Sequence, residues 1–195
     1  MRIMYIMLNW RYGLGALLLI IAPGLAWSGD ESALLSKSRE VTADYATQLK
    51  AALQESMANG GPVASIEVCS KLAPQLASDL SRASGAKVRR TSWRFRNPGN
   101  APSDWEAQAL IHLEATGEQE FFAISPDGSA RYLKAIPTGP VCLACHGETL
   151  APDIQQQLND AYPHDRATGF AVGDLRGAFS IAWPREQASG HAVEE

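Results

Sequence analysis

Cys142-Leu143-Ala144-Cys145-His146, followed by Gly147, is the stretch of this chain best equipped for chemistry. Two thiols separated by two residues can be presented to one flat edge by a single short turn. The histidine that comes next then lies beneath the plane those thiols define. This is the spacing of c-type haem attachment, in which each sulfur adds to a porphyrin vinyl group and the imidazole takes an axial position on iron. Cys142 and Cys145 are therefore the candidate anchors, His146 the candidate proximal ligand, and one covalently held haem c the candidate cofactor. Three other readings compete: a redox Cys-x-x-Cys pair, half of a zinc site, and chance. A redox pair wants a strand before it and a helix N-terminus under the first thiol, whereas Pro137-Thr138-Gly139-Pro140 is a turn-rich approach. A zinc site wants further ligands at short spacing; the remaining cysteine, Cys69, is far upstream and no closely spaced histidine pair exists.

A haem held by His146 has a second axial position. The side chains that could fill it are Cys69, Met57, His112, His164 and His191, and water or a diatomic gas is the alternative. Cys69 has no disulfide partner once two cysteines carry haem, and helical spacing points it to the core. A thiolate is a recognised haem ligand, but a lone cysteine is as readily a small buried hydrophobe. As a ligand, a thiolate would stabilise ferric iron and weaken on reduction, freeing a site for CO or NO. Met57 lies on a helical stripe that packing alone explains, His112 shares a helix face with Trp105 and Ala109, His164 stands in a polar loop, and His191 is in the tail. Haem also brings carboxylates, which the planar forks of arginine pair bidentately. The run Arg89 to Arg96 supplies such cations, and strand alternation puts Arg90 and Arg94 on one side as candidate propionate partners, with Lys87 and Arg176 as weaker ones. A solvated strand face is the equal alternative. Trp93, Phe95, Phe121, Phe122, Tyr132 and Phe179 could form an apolar wall.

The elements that must position these groups follow from periodicity. Val41, Tyr45, Leu49, Leu53 and Met57 recur at four-residue steps and predict a helix from Asp30 to Met57, ended by Asn59-Gly60-Gly61. Pro62 opens a second helix that Gly85 stops, with Ile66, Cys69, Ala73, Leu76 and Leu80 on one face. Pro74 removes a backbone donor inside that pattern and predicts a kink near Leu72, just after Cys69. Ala86 to Phe95 alternates as a strand. Ser103 and Glu106 make a capping box for a helix reaching about Thr116. Glu120 to Ile124 and Ala130 to Ile136 form a hairpin about Pro126-Asp127-Gly128, leading into the cysteine motif. Pro152 starts a short helix, residues 163–173 form an irregular loop, and Leu175 to Trp183 is the last strand. The fold class is α+β, an antiparallel sheet flanked by helices with a long N-terminal helix. Simple c-type cytochromes are largely helical with the motif near their start, so this is a different fold.

The first 28 residues read as an export signal: Arg2 and Arg11, an apolar run from Gly13 to Ile21, a break at Pro23-Gly24, and small residues at Ala26 and Ser28. An uncleaved segment anchoring the protein to the membrane is the alternative, although the apolar run is short against the ~20 residues of a span. This places the protein in the periplasm. Residues 29–184 then form one haem-binding domain and 185–195 a disordered tail. The chain is 46% apolar and 19% charged, a globular composition. Removing the leader takes away two arginines and no acids, carrying the formal charge from −4 to −6. That balance excludes a general nucleic-acid binder.

Four blocks carry a family resemblance: IEVCSKLAPQLA, VRRTSWRFRNPGNAPSDWE, FFAISPDGSARYLKAIPTGPVCLACHG and YPHDRATGFAVGDLRGAFSI. In this order they resemble the bacterial family of exported, PAS-like, single-haem c-type proteins, found alone or in front of histidine kinases. The resemblance spans Asp30 to Trp183. It implies a PAS-like sheet, haem on Cys142, Cys145 and His146, and the cysteine of the IEVC block, Cys69, as second axial ligand. Two functions then compete. One is a redox or diatomic-gas sensor module acting through a partner; the other is a periplasmic electron carrier with a redox partner protein. An enzyme is not expected, because a haem filled on both sides has no place for peroxide. The sequence leaves the oligomeric state open, a dimer included.

Overall fold

The computed structural model describes residues 29–185. The expected leader, residues 1–28, lies outside them, as do His191 and the expected tail beyond Arg185. Among the described residues no helix is long and apolar enough to cross a membrane.

The described residues begin in α1 (Gly29–Glu67), which carries the predicted break: Gly61 sits at φ 71°, ψ −169°, and Pro62 restarts the helix at once. A π turn, Val68–Leu72, follows, and α2 (Ala73–Ser84) completes the helical half until Gly85 stops it at φ 77°. The π turn is the predicted kink in its actual form. Pro74 cannot donate to the Ser70 carbonyl, and its ring crowds that turn. Widening by one residue relieves the crowding, and the Ala73 N–H reaches back to Val68 O. Cys69 therefore stands on a widened turn rather than just ahead of a bend.

The sheet contains β1 (Lys87–Thr91), β2 (Glu120–Ile124), β3 (Ala130–Pro137) and β4 (Leu175–Trp183). All pairings are antiparallel, in the order β1-β4-β3-β2. β1 is shorter than alternation predicts. It leaves the ladder after Thr91, where the Ser92 N–H turns to Asn100 O (3.1 Å) and the Ser92 hydroxyl to Arg176 O (2.8 Å). Side-chain alternation beyond Thr91 therefore does not hold. Opposite this point Gly177 has φ 146°, and a Cβ there would lie 2.4 Å from Thr91 O. Only glycine lets the two strands approach this closely.

Period-two alternation splits the sheet's side chains between two cores. Tyr132, Phe179, Ile181 and Trp183 pack with Leu34, Tyr45 and Ala77 of α1 and α2. Leu133 and Ala178 face the other way, against Ala109, Leu110 and Leu113 of α3 (Asp104–Thr116). The capping box forms: the Glu106 carboxylate accepts the Ser103 N–H at 2.8 Å and also pairs with Arg89 at 3.2 Å. The first half of α1 is fastened to the sheet by the Trp183 indole donating to Ser38 Oγ (2.7 Å) and by Arg39 on Glu120 (3.1 Å). The α+β class, the antiparallel sheet and the long N-terminal helix are as the sequence predicts.

Candidate functional site

After β3 the chain makes a 3-10 turn, Pro140–Cys142, and one turn of helix, α4 (Leu143–His146), before α5 (Pro152–Ala161). Ile154, Leu158 and Tyr162 bury against Ile66, and Cys145 packs on that cluster. The cysteine motif is thus pinned to the second half of α1, just ahead of the π turn that carries Cys69. All three thiols are free and half-buried. Burial pushes the Cys145 thiol's pKa up; Arg96 opposes this, and the neighbouring Cys69 and Cys142 add to it.

His146 is the most constrained group. Its Nδ1 is 2.6 Å from the Ala167 carbonyl oxygen. A carbonyl can only accept, so Nδ1 carries the proton and Nε2 keeps its lone pair. Burial, then the cations Arg176 and Arg96, push the pKa down to about 2, with the Ala167 bond opposing them. The imidazole is therefore neutral at any physiological pH. Its ring meets Phe170 edge-on at 6.3 Å. The loop that supplies both partners is strapped to the motif: Gly169 N–H donates to Gly147 O (2.8 Å) and Phe170 N–H to His146 O (2.9 Å). Gly147 is required for space. A Cβ there would lie 2.7 Å from Leu143 O.

These groups line one cleft of about 200 Å³. Cys142, Cys145 and His146 stand on one wall, and Cys69, Ile66, Leu49, Leu53 and Met57 belong to the helical wall. Arg90, Phe179 and Ile136 come from the sheet, and Phe95, Arg96 and Arg176 also line it. Among the described residues neither Arg90 nor Arg176 belongs to an ion pair, whereas Arg96 is paired with Asp165 at 2.9 Å. Burial, reinforced by Arg96 and Arg90, pulls the Arg176 pKa down to about 10. The cleft thus holds excess positive charge suited to an anionic ligand.

The sequence candidates divide accordingly. Cys69, Cys142, Cys145, His146 and Arg90 come together, and Met57 joins them. Arg94 does not line this cleft. Its guanidinium donates to Thr168 O and stacks on Phe170 at 3.8 Å, because strand alternation has already ended at Thr91. Arg89 is taken up by Glu106, Gly99 O and Ala101 O. His112 bonds Glu118 on the far side of the sheet, and His164 is exposed. Of the expected apolar wall, Phe95 and Phe179 line the cleft; Trp93, Phe121, Phe122 and Tyr132 do not. A second cavity, about 460 Å³, includes Arg94 and Trp93 in its lining but no cysteine or histidine. Sequence reasoning missed Asp165, Ala167 and Phe170. They lie in YPHDRATGF, read only as an irregular loop, and their roles are a carbonyl, a counter-charge and a ring edge, none of which has a spacing signature. Among the described residues no group of three or more His, Cys, Asp or Glu side chains is placed to hold a metal ion directly.

The sequence profile of a family described as Tll0287-like matches residues 28–184. Among solved structures, one titled as the crystal structure of the cyanobacterial heme-protein Tll0287 is similar, with 28% identity and a TM-score of 0.66. The match covers 78% of this chain and 96% of that one. No curated protein matches.

Proposed function

This chain belongs to the Tll0287-like family, and from that premise we propose that it is an exported, single-haem c-type protein that senses redox state or a diatomic gas. The observation that carries the reading is the convergence of Cys142, Cys145, His146 and Cys69 in one cleft, with His146 Nε2 free. The similar solved structure is titled a heme-protein. Cys142 and Cys145 would bear the thioethers, His146 Nε2 would be the proximal ligand, and Cys69 the opposite one. The bound iron supplies one-electron chemistry or, when a ligand leaves, a site for a small gas. The unpaired cations Arg90 and Arg176 would meet the propionates, with Arg176 in the place the sequence offers to Arg94. Leu49, Leu53, Met57, Ile66 and Phe179 would give the porphyrin an apolar lining.

The residues do three jobs. The Ala167 carbonyl fixes the imidazole tautomer and makes Nε2 a better donor. The widened turn presents Cys69 across the cleft. The apolar wall excludes water, which strengthens every charge interaction inside. The enclosed volume is below the roughly 300–1,000 Å³ of small-molecule sites. A haem held here would need the mouth of the cleft as well, beside Leu49, Leu53 and Met57 of α1.

Sensing is favoured over electron carriage because a thiolate lowers the potential and is a ligand that can leave. A PAS-like output to a signalling partner fits this use, as does a periplasmic location with either a cleaved or a retained leader. Optical and EPR spectra of the mature protein and of Cys69→Ala test it. A low-spin ferric haem with thiolate character is expected, lost in the variant; an unchanged spectrum sinks Cys69 as ligand. Electron carriage is the better reading if the midpoint potential is high and CO does not bind after reduction. Cys142→Ala with Cys145→Ala should abolish covalent haem staining.

A further inference from the structure

The acceptor of the His146 proton is shared. Ala167 O accepts His146 Nδ1–H at 2.6 Å and also Arg96 Nη2–H at 3.3 Å. The same Nη2 donates to Cys145 O at 2.6 Å, and Arg96 Nε donates to Asp165 Oδ2 at 2.9 Å. Asp165 Oδ1 in turn accepts the Ala167 N–H at 2.7 Å. Residue 167 is therefore gripped at both ends, its N–H by Asp165 and its carbonyl by Arg96. Arg96 also grips the carbonyl just before His146. One guanidinium spans the two strips of backbone whose separation decides whether the histidine's hydrogen bond exists.

Resting on the haem reading above, we infer that Arg96 is a positioning residue: together with Asp165 it holds the Ala167 carbonyl against His146 Nδ1 and so sets the donor strength of Nε2 toward iron. Side-chain exposure of 7% for Arg96 and 12% for Asp165 keeps the pair almost free of solvent screening. The planar fork is what the arrangement uses, since the contacts diverge from Nε and Nη2. A lysine ammonium carries the charge but not the fork. Two effects on iron then have opposite signs. Loosening the Ala167 bond makes Nε2 a weaker donor, destabilises ferric iron and raises the potential. Removing a nearby positive charge stabilises ferric iron and lowers it.

The test has two arms. In the haem-free protein, NMR with nitrogen-15-labelled histidine should show a single Nδ1–H tautomer for wild-type His146 with a slowly exchanging proton. Arg96→Lys should mix the tautomers and speed the exchange while circular dichroism shows a retained fold. In the haem-loaded protein, Arg96→Lys should shift the ferrous-to-ferric ratio at the wild-type midpoint severalfold toward ferrous. Arg96→Met should shift the same way despite losing the charge. An unchanged tautomer and exchange rate in Arg96→Lys overturns the inference. So does a shift toward ferric in Arg96→Met with none in Arg96→Lys, which would make Arg96 a charge and nothing more. If Arg96→Lys does not fold, Asp165→Ala is read in the tautomer arm, because it removes the acceptor of both Arg96 Nε–H and the Ala167 N–H; an unchanged tautomer and exchange rate there also overturns the inference. If wild type takes up no covalent haem, the haem reading fails while the tautomer arm still decides whether Arg96 holds the bond.

Discussion

At the residue scale, a short motif names its own chemistry but not its neighbours. Cys142, Cys145 and His146 are legible as candidates because covalent haem attachment demands a spacing, and spacing is written along the chain. Arg94 lies outside the cleft because the alternation that would carry it there ends at Thr91, whereas Arg176 lines the cleft. The neighbour of His146 that matters most, a backbone carbonyl, has no residue type at all. Gly147 is legible only in hindsight, through the 2.7 Å approach its Cβ would make to Leu143 O. Gly147→Ala is expected to destabilise the fold by about 1–3 kcal/mol, the usual range for forced overpacking. The haem-free variant's denaturant midpoint measures it, and an unchanged midpoint would show that α4 can yield.

At the element scale, the sequence shows that Pro74 disturbs its helix but not in what form. A proline in a helix can kink it, break it or widen one turn, and packing selects among these. Here the Tyr45 hydroxyl bonds Ala73 O at 2.7 Å and holds the helix on course through the π turn. Pro74→Ala restores the missing donor. It should leave stability equal or higher, yet rotate Cys69, so the ferric EPR signal should change while the melting temperature does not fall. α1 offers a second expectation. Its first half is fastened at Ser38, Arg39 and Tyr45, whereas Leu49, Leu53 and Met57 face the cleft with apolar side chains. Hydrogen exchange across residues 49–57 should differ between haem-free and loaded protein more than in β3 or β4. Equal exchange would mean the cleft accepts its ligand without movement of this wall.

At the scale of the whole molecule, Arg39 on Glu120 is one of the polar ties that join the helical half to the sheet. Hydrogen bonding from Arg39 holds the Glu120 carboxyl below its ordinary value of 4.5, against the opposing effect of burial, and Tyr132 and Lys134 help. A carboxyl whose folded pKa is lowered adds stability above the ordinary value and loses it as pH falls through the folded value. Thermal stability should therefore drop below about pH 4.5, and Glu120→Gln should flatten that part of the curve. An identical acid limb in the variant would assign the loss to other carboxylates.

By itself the sequence determined the α+β class, the break at Gly61, the hairpin before the motif, and the two thiols and imidazole suited to haem. Each depends on short-range periodicity, backbone chemistry or fixed spacing, which the chain carries locally. Only the tertiary structure decided that Cys69 and Met57 face the cleft while His112 and His164 do not, that Arg176 rather than Arg94 joins Arg90, and that Ala167 orients His146. Those are contacts between segments far apart in sequence, set by which faces the sheet and helices bury against one another, and no local pattern encodes them.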